Sequence, residues 1–308
     1  MEDHWLLIGL VHFGIGIPSL LLAIVVTLVL RLTKELYKFN SYKILFQLNL
    51  CYSIHICVHI GVGITVFAGV EDDGVARKIL GAFVHLAWFG ILFLNLFLSI
   101  ERLNVIVTKT HVRLVKWSFA ALNLLFWLPG TATFILDLTP YLTFFFNEEA
   151  GEWDFSGSFV NDFLGLAKPL TYTVFPLTFS LYLIAYVLLV KQRGQLNFST
   201  SASNHSKLEL NILIVSVLMF LFPFGEEVVY FAINSGGQNS FASQFFVHIV
   251  WISVPALGQI VQLAVNRTIR KKIWRCAEVV KFWERNEEMK PRVSPQGPTV
   301  PQPTNGPE

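Results

Sequence analysis

Seven long apolar stretches, separated by short polar segments, set the pattern of the chain: Leu6–Leu32, Ile44–Val70, Lys78–Val105, Val115–Leu138, Leu166–Val190, Leu208–Ile233 and Phe241–Val265. Each is long enough for the ~20 residues a helix needs to cross a bilayer core. Hydrocarbon offers no partner for an open backbone group, so each stretch is expected to be a helix and not an open strand. Prolines fall in the fourth stretch (Pro129), the fifth (Pro169 near its start, then Pro176) and the sixth (Pro223). Inside a membrane helix such residues bend the axis without abolishing it. The pattern predicts an all-α membrane protein, a seven-transmembrane helix bundle over residues 6–265 whose short connections favour antiparallel neighbours. The leading Met-Glu-Asp-His is acidic, and the first run exceeds the ~7–15 residues of a signal-peptide core, so the first stretch reads as a span rather than a cleaved leader.

Composition narrows the class further. The 308 residues are 54% hydrophobic and 14% charged, against roughly 25% charged in soluble domains. A cytosolic enzyme, a disordered chain and a nucleic-acid binder are excluded on that basis. Three cysteines give no disulfide framework. The basic residues divide unevenly between the two sides. The side holding Arg31–Lys43, Arg102–Lys116, Lys191–Lys207 and everything after Val265 has 20 of them, and the other side has Arg77, Lys78 and Lys168. The positive-inside rule then puts the short N-terminus, residues 1–5, outside and the C-terminus in the cytosol. Three glycosylation sequons, at Asn197, Asn204 and Asn266, fall on the cytosolic side of this layout, where no glycan is added. Glycan occupancy is therefore a direct test of it.

Two segments lie outside the spans. The longest outer connection, Thr139–Gly165, is aromatic and acidic and is placed to fold over the mouth of the bundle. After the seventh span, residues 266–285 alternate basic and apolar side chains, from Arg267, Arg270, Lys271 and Lys272 to Ile269, Ile273 and Trp274. That reads as an amphipathic juxtamembrane helix on the inner surface of the bilayer. Cys276 within it is a candidate for palmitoylation. Residues 286–308 are Pro-rich and read as a disordered cytoplasmic tail.

The inner end of the third span carries Glu101-Arg102, an adjacent acid and base at a depth where ionised groups are costly. With Pro176 and Pro223, Trp127 and Asn266-Arg267-Thr268-Ile269-Arg270, this pair makes the chain resemble the rhodopsin-like seven-helix receptors, and within them the nematode serpentine chemoreceptors. The resemblance spans Leu6–Trp283. It has departures: Arg77 stands where the loop-tethering cysteine is expected, no acid follows Asn49 in the second span, and the seventh-span motif reads Gly258-Gln259-Ile260-Val261-Gln262. That span contains no lysine, which excludes a retinal Schiff base. The resemblance implies a plasma-membrane receptor, in a sensory cilium for an olfactory role, that binds a small-molecule ligand and activates a heterotrimeric G protein. It assigns the activation switch to Glu101, Arg102 and Pro223, and G-protein contact to Arg102, Lys109, Arg113 and Lys207.

It also implies a ligand pocket in the outer half of the bundle, between the third, fifth, sixth and seventh spans. The polar and aromatic residues at that depth point to the same place: His85, Trp88, Phe89, Tyr172, Phe175, Glu226, Glu227, Tyr230, His248 and Trp251. Neighbours on a helix project about 100° apart, so only one of Glu226 and Glu227 is expected to face the bundle. Cys51 and Cys57 read as small core residues. His55 and His59, four apart on one helix face, have a spacing that can bind a metal, with a third ligand conceivable from His12 or His85. That keeps a runner-up open, a zinc-dependent membrane hydrolase or a small-solute or metal transporter, but no Glu adjoins the first His. No cofactor or resident metal is assigned, and the chain is read as a receptor and not an enzyme.

Overall fold

A computed structural model describes residues 2–34, 36–68, 74–108, 116–147, 150–195, 200–235 and 240–274. Seven helices follow one another: α1 (Glu2–Leu32), α2 (Asn40–Ala68), α3 (Val75–Thr108), α4 (Lys116–Asp137), α5 (Val160–Gln195), α6 (Thr200–Ser235) and α7 (Phe241–Val265). All seven are long and apolar enough to span a membrane. Several outrun their apolar stretches, because hydropathy marks only the part that lipid would cover, while backbone hydrogen bonding continues through the polar ends. Pro129, Pro169, Pro176 and Pro223 lie inside helices as expected, and Pro18 and Pro255 do so as well.

The packing closes a ring of six helices, α1, α2, α3, α5, α6 and α7, with α4 laid against α3. α1 lies on α2 and α7, α6 on α5 and α7, and α3 touches α2, α4, α5 and α6. Most of α3 is accordingly buried, whereas α4 turns Leu124, Leu125 and Leu128 outward. Outward leucines on every peripheral helix are unfavourable in water and suit a lipid environment. Cys57 is on that outer surface rather than in the core; Cys51 is buried.

Buried polar side chains join the helices in pairs. Asn49 Nδ2 of α2 donates to Gln262 Oε1 of α7 at 2.9 Å. Trp127 Nε1 of α4 donates to Gln47 Oε1 of α2 at 2.7 Å. Asn266 ends α7 and, through its side-chain oxygen, accepts from the backbone N–H groups of Thr268 and Ile269 at 3.2 Å. It thereby caps a short helix over residues 267–274, with Ile269 turned in and Trp274 turned out. Lys109, Arg113 and Cys276 lie outside the described residues, as does the side chain of Lys207.

Between α4 and α5 the chain forms a hairpin, β1 (Thr143–Asn147) with β2 (Glu152–Ser156), paired antiparallel with Phe145 opposite Asp154. Gly151 at its turn has φ +71°, a conformation that side chains other than glycine's disfavour. Phe144 and Phe146 alternate inward and are buried, as a half-covered strand requires. The hairpin is seated on α3 by a close approach: a Cβ at Gly81 would collide with the backbone carbonyl of Phe144. Gly81→Ala is therefore expected to lift the hairpin, at a cost of ~1–3 kcal/mol. A lower melting temperature of the purified protein would register it, and an unchanged melt would show that the contact is slack.

Candidate functional site

The hairpin roofs a cavity of about 170 Å³ whose other walls are α3, α6 and α7. Helical spacing explains which side chains reach it. Gln244, Val247, His248 and Trp251 fall at i, i+3, i+4 and i+7 on one face of α7; Glu226, Glu227 and Tyr230 come from α6; His85 and Trp88 from α3. The hairpin adds Phe144, Glu152, Trp153 and Phe155. A second, larger space of about 440 Å³ shares Glu152, Trp153, Phe155, Tyr230 and Gln244 with the first and reaches Lys168 and Asn234, so a polar vestibule adjoins an aromatic chamber.

Seven of the ten residues expected at the pocket thus line one cavity, and three do not. Phe175 is buried against Phe220 and Phe224, with ring centroids 5.8 and 5.7 Å away. Tyr172 is 46% exposed, its ring edge on Phe231. Phe89 is buried behind His85, 5.9 Å from its ring. The wall expected from α5 is supplied by the hairpin instead. The expectation that Glu226 and Glu227 cannot share the bundle face is also corrected: both line the cavity, with Glu226 buried and Glu227 half-buried. An angle of about 100° is narrow enough for two neighbours to straddle one cavity.

The polar groups of the chamber differ in how they are satisfied. His85 Nδ1 lies 2.6 Å from Asp137 Oδ2, a buried pair between α3 and α4, and the His85 ring stacks on Phe144 at 3.9 Å between centroids. Asp137 was not singled out from the sequence; an acid at the end of an apolar stretch looks like an interfacial residue. Glu226 has no such partner: its Oε2 is buried without a hydrogen bond among the described residues. At the chamber's edge, part-burial and the neighbouring Asp154 charge push the Glu152 carboxyl above its usual range.

At the other end of the bundle Arg102 is buried and held from two sides. Its Nε and Nη2 donate to Glu101 Oε2 at 2.8 and 2.5 Å, and its Nη1 donates to Glu209 Oε2 of α6 at 2.8 Å. Ser41 of α2 donates to the same Glu101 oxygen at 2.5 Å. The sequence supplied Glu101 and Arg102 but not Glu209, whose bond to Arg102 crosses from α3 to α6. Pro223, buried within α6, lies between Glu209 and the cavity residues of that helix.

Of the residues considered for metal, His55 and His59 lie with ring centroids 4.7 Å apart. His12 and His248 join His59, while His85 is engaged by Asp137.

Known proteins resemble the chain at two levels. The family model described as serpentine type 7TM GPCR chemoreceptor Srt matches residues 1–286. The crystal structure of squid rhodopsin superimposes with a TM-score of 0.74 at 13% identity, over 96% of this chain and 93% of that one. Identity that low speaks for the fold alone. No curated protein matches the chain.

Proposed function

The chain belongs to the Srt family of serpentine seven-transmembrane G-protein-coupled chemoreceptors, and on that premise we propose which cue it takes and how the cue is transmitted. It is a multi-pass membrane receptor and not an enzyme, so the hydrolase and transporter alternatives fall away. The proposed ligand is a small organic amine. A cavity of about 170 Å³ is close to the ~150 Å³ that encloses a benzene-sized molecule. Its walls are aromatic, which suits a cation, and Glu226 offers a buried carboxylate oxygen that lacks a partner among the described residues. The Glu226 carboxyl on the wall of an aromatic chamber, with one oxygen unpaired among the described residues, is the observation that favours an ammonium over a neutral odorant.

The transmission follows from α6. Glu226 and Tyr230 face the chamber and Glu209 holds Arg102, on one continuous helix. Glu209 and Glu226 are 17 positions apart, about 26 Å along the axis at 1.5 Å per residue. Ligand contact that tilts α6 near Pro223 would pull Glu209 off Arg102 and open a cleft for a segment of a heterotrimeric G protein. A ligand shifts this equilibrium only by as much as it binds the tilted form better. Lys109, Arg113 and Lys207 are proposed to flank the cleft.

In this reading the N-terminus and hairpin are extracellular. The Arg102 end faces the cytosol, residues 266–285 lie on the inner leaflet, and the receptor works at the plasma membrane, in a sensory cilium for olfaction. The layout is supported by the imbalance of basic residues. It predicts that Asn197 and Asn204 carry no sugar: glycosidase treatment should leave the mobility of the expressed receptor unchanged. A shift lost in Asn197→Gln or Asn204→Gln would invert the layout. The receptor reading is tested by G-protein activation in cells exposed to a panel of small amines and matched neutral analogues. A response to the neutral set alone would reject the amine.

A further inference from the structure

Three histidines from three helices meet inside the bundle, beside the chamber but mostly outside it. His12 of α1, His59 of α2 and His248 of α7 are all buried, and a ring nitrogen from each lies within 4.8 Å of the other two. Their ring centroids are 5.3, 4.9 and 5.2 Å apart. We propose that this cluster is a binding site for a divalent transition-metal ion, zinc by the chemistry of its donors.

The hydrogen bonds favour ligation. His12 Nδ1 lies 2.6 Å from the carbonyl oxygen of His59 and must donate to it. A histidine fixed through one nitrogen by a backbone carbonyl presents the other as a lone pair, which is how metal-ligating histidines are oriented. That second nitrogen, His12 Nε2, faces His248 Nε2 at 2.9 Å. Without a metal, His248 must point its proton at His12, and its Nδ1 then stands as a buried acceptor with no partner among the described residues. Both nitrogens of His59 lack a partner among the described residues, and so do both of His55 one turn away. Buried polar atoms are rarely left this way. An ion among the three rings takes up the facing lone pairs of His12 and His59 and frees His248 from its forced orientation.

The donor set selects the ion. Imidazole nitrogen suits zinc and copper, whereas magnesium and calcium want oxygen. Zinc–nitrogen bonds of ~2.0–2.1 Å set the nitrogens roughly 3.3 Å apart, so His12 and His248 must part slightly from 2.9 Å and any pair nearer the 4.8 Å limit must close, which side-chain rotation can supply. Three protein ligands leave a tetrahedral ion one position. His248 also lines the chamber, so that position would be filled from the chamber side, by water or by a donor atom of the cue.

The test uses the full-length receptor, purified in lipid nanodiscs without chelator. Elemental analysis should find about one zinc per receptor. After stripping, Co²⁺ added alone should give the intense visible bands of a four- or five-coordinate ion. His12→Gln and His248→Gln should each weaken Co²⁺ binding at least ~10-fold, and Cys57→Ser, at the lipid surface, should leave it unchanged. Should the histidine variants fail to fold, X-ray absorption of the zinc-loaded wild type decides, with three imidazoles at ~2.0–2.1 Å expected. Folded wild type with no zinc and no cobalt bands overturns the site, as would bands unaltered in both variants or ligation by sulfur. None of these readouts requires a cue or a G protein, so they fail independently of the receptor mechanism.

Discussion

Glu209→Gln should raise ligand-free G-protein signalling about tenfold at equal surface level, and by more than Glu101→Gln. Both acids grip Arg102, but they grip it differently. Glu101 is on the same helix as Arg102, one residue away, and is also tied to Ser41 of α2. Its bond survives any movement of α6. Glu209 is the partner that α6 would have to withdraw. Removing one partner of a buried pair typically costs ~3–5 kcal/mol; here Glu101 remains, so only part of that is lost from the closed form. About 1.4 kcal/mol is a tenfold change in an equilibrium, and a minor form populated at ~1% would then reach ~10%. Arg102→Ala should abolish coupling altogether, since it removes the cation the open cleft would present. The measurement is basal and evoked signalling against surface expression. Basal levels of Glu209→Gln that overlay wild type would show that the α3–α6 bond does not hold the resting state.

That bond also shows where reading a sequence stops. The seven helices were legible because lipid imposes one requirement, internal backbone pairing over ~20 residues, and it is met locally. Glu101-Arg102 was legible because the two are adjacent. Glu209 and Arg102 are 107 positions apart, and an acid at the start of an apolar stretch looks like any interfacial residue. Asp137, which holds His85, was hidden in the same way. Depth in the membrane is readable from position along a span, and seven of the ten expected residues line one cavity. Facing is not: Tyr172 and Phe175 have the right depth and turn elsewhere. The hairpin was missed because Phe144–Phe146 is a run whose alternation shows only once Phe144 and Phe146 have a bundle to face. His55 and His59 were visible as a pair by their spacing, but the cluster needed helices α1 and α7 to close the ring.

Glu226 should separate a ligand contact from a structural residue by moving response and stability in opposite directions. Its buried Oε2 has no hydrogen bond among the described residues, and an unpaired buried polar group costs stability. Glu226→Leu fills the same space with an apolar side chain and is expected to raise the melting temperature by a few degrees, as happens when binding groups are removed. The same change removes the partner of the cue's ammonium. A charge-assisted hydrogen bond is worth ~1.5–3 kcal/mol, so amine potency should fall about 10- to 100-fold, with Glu226→Gln at the lower end because it keeps an acceptor. Glu227, only half-buried, should give a smaller loss when changed to Gln, since water competes for its charge. A packing role for Glu226 makes the reverse forecast, a lower melt with potency unchanged among the receptors that reach the surface. The two are told apart by a thermal melt of purified protein and a dose–response curve in cells, and a stable Glu226→Leu receptor with wild-type potency would remove the carboxylate, and the amine with it, from the chamber.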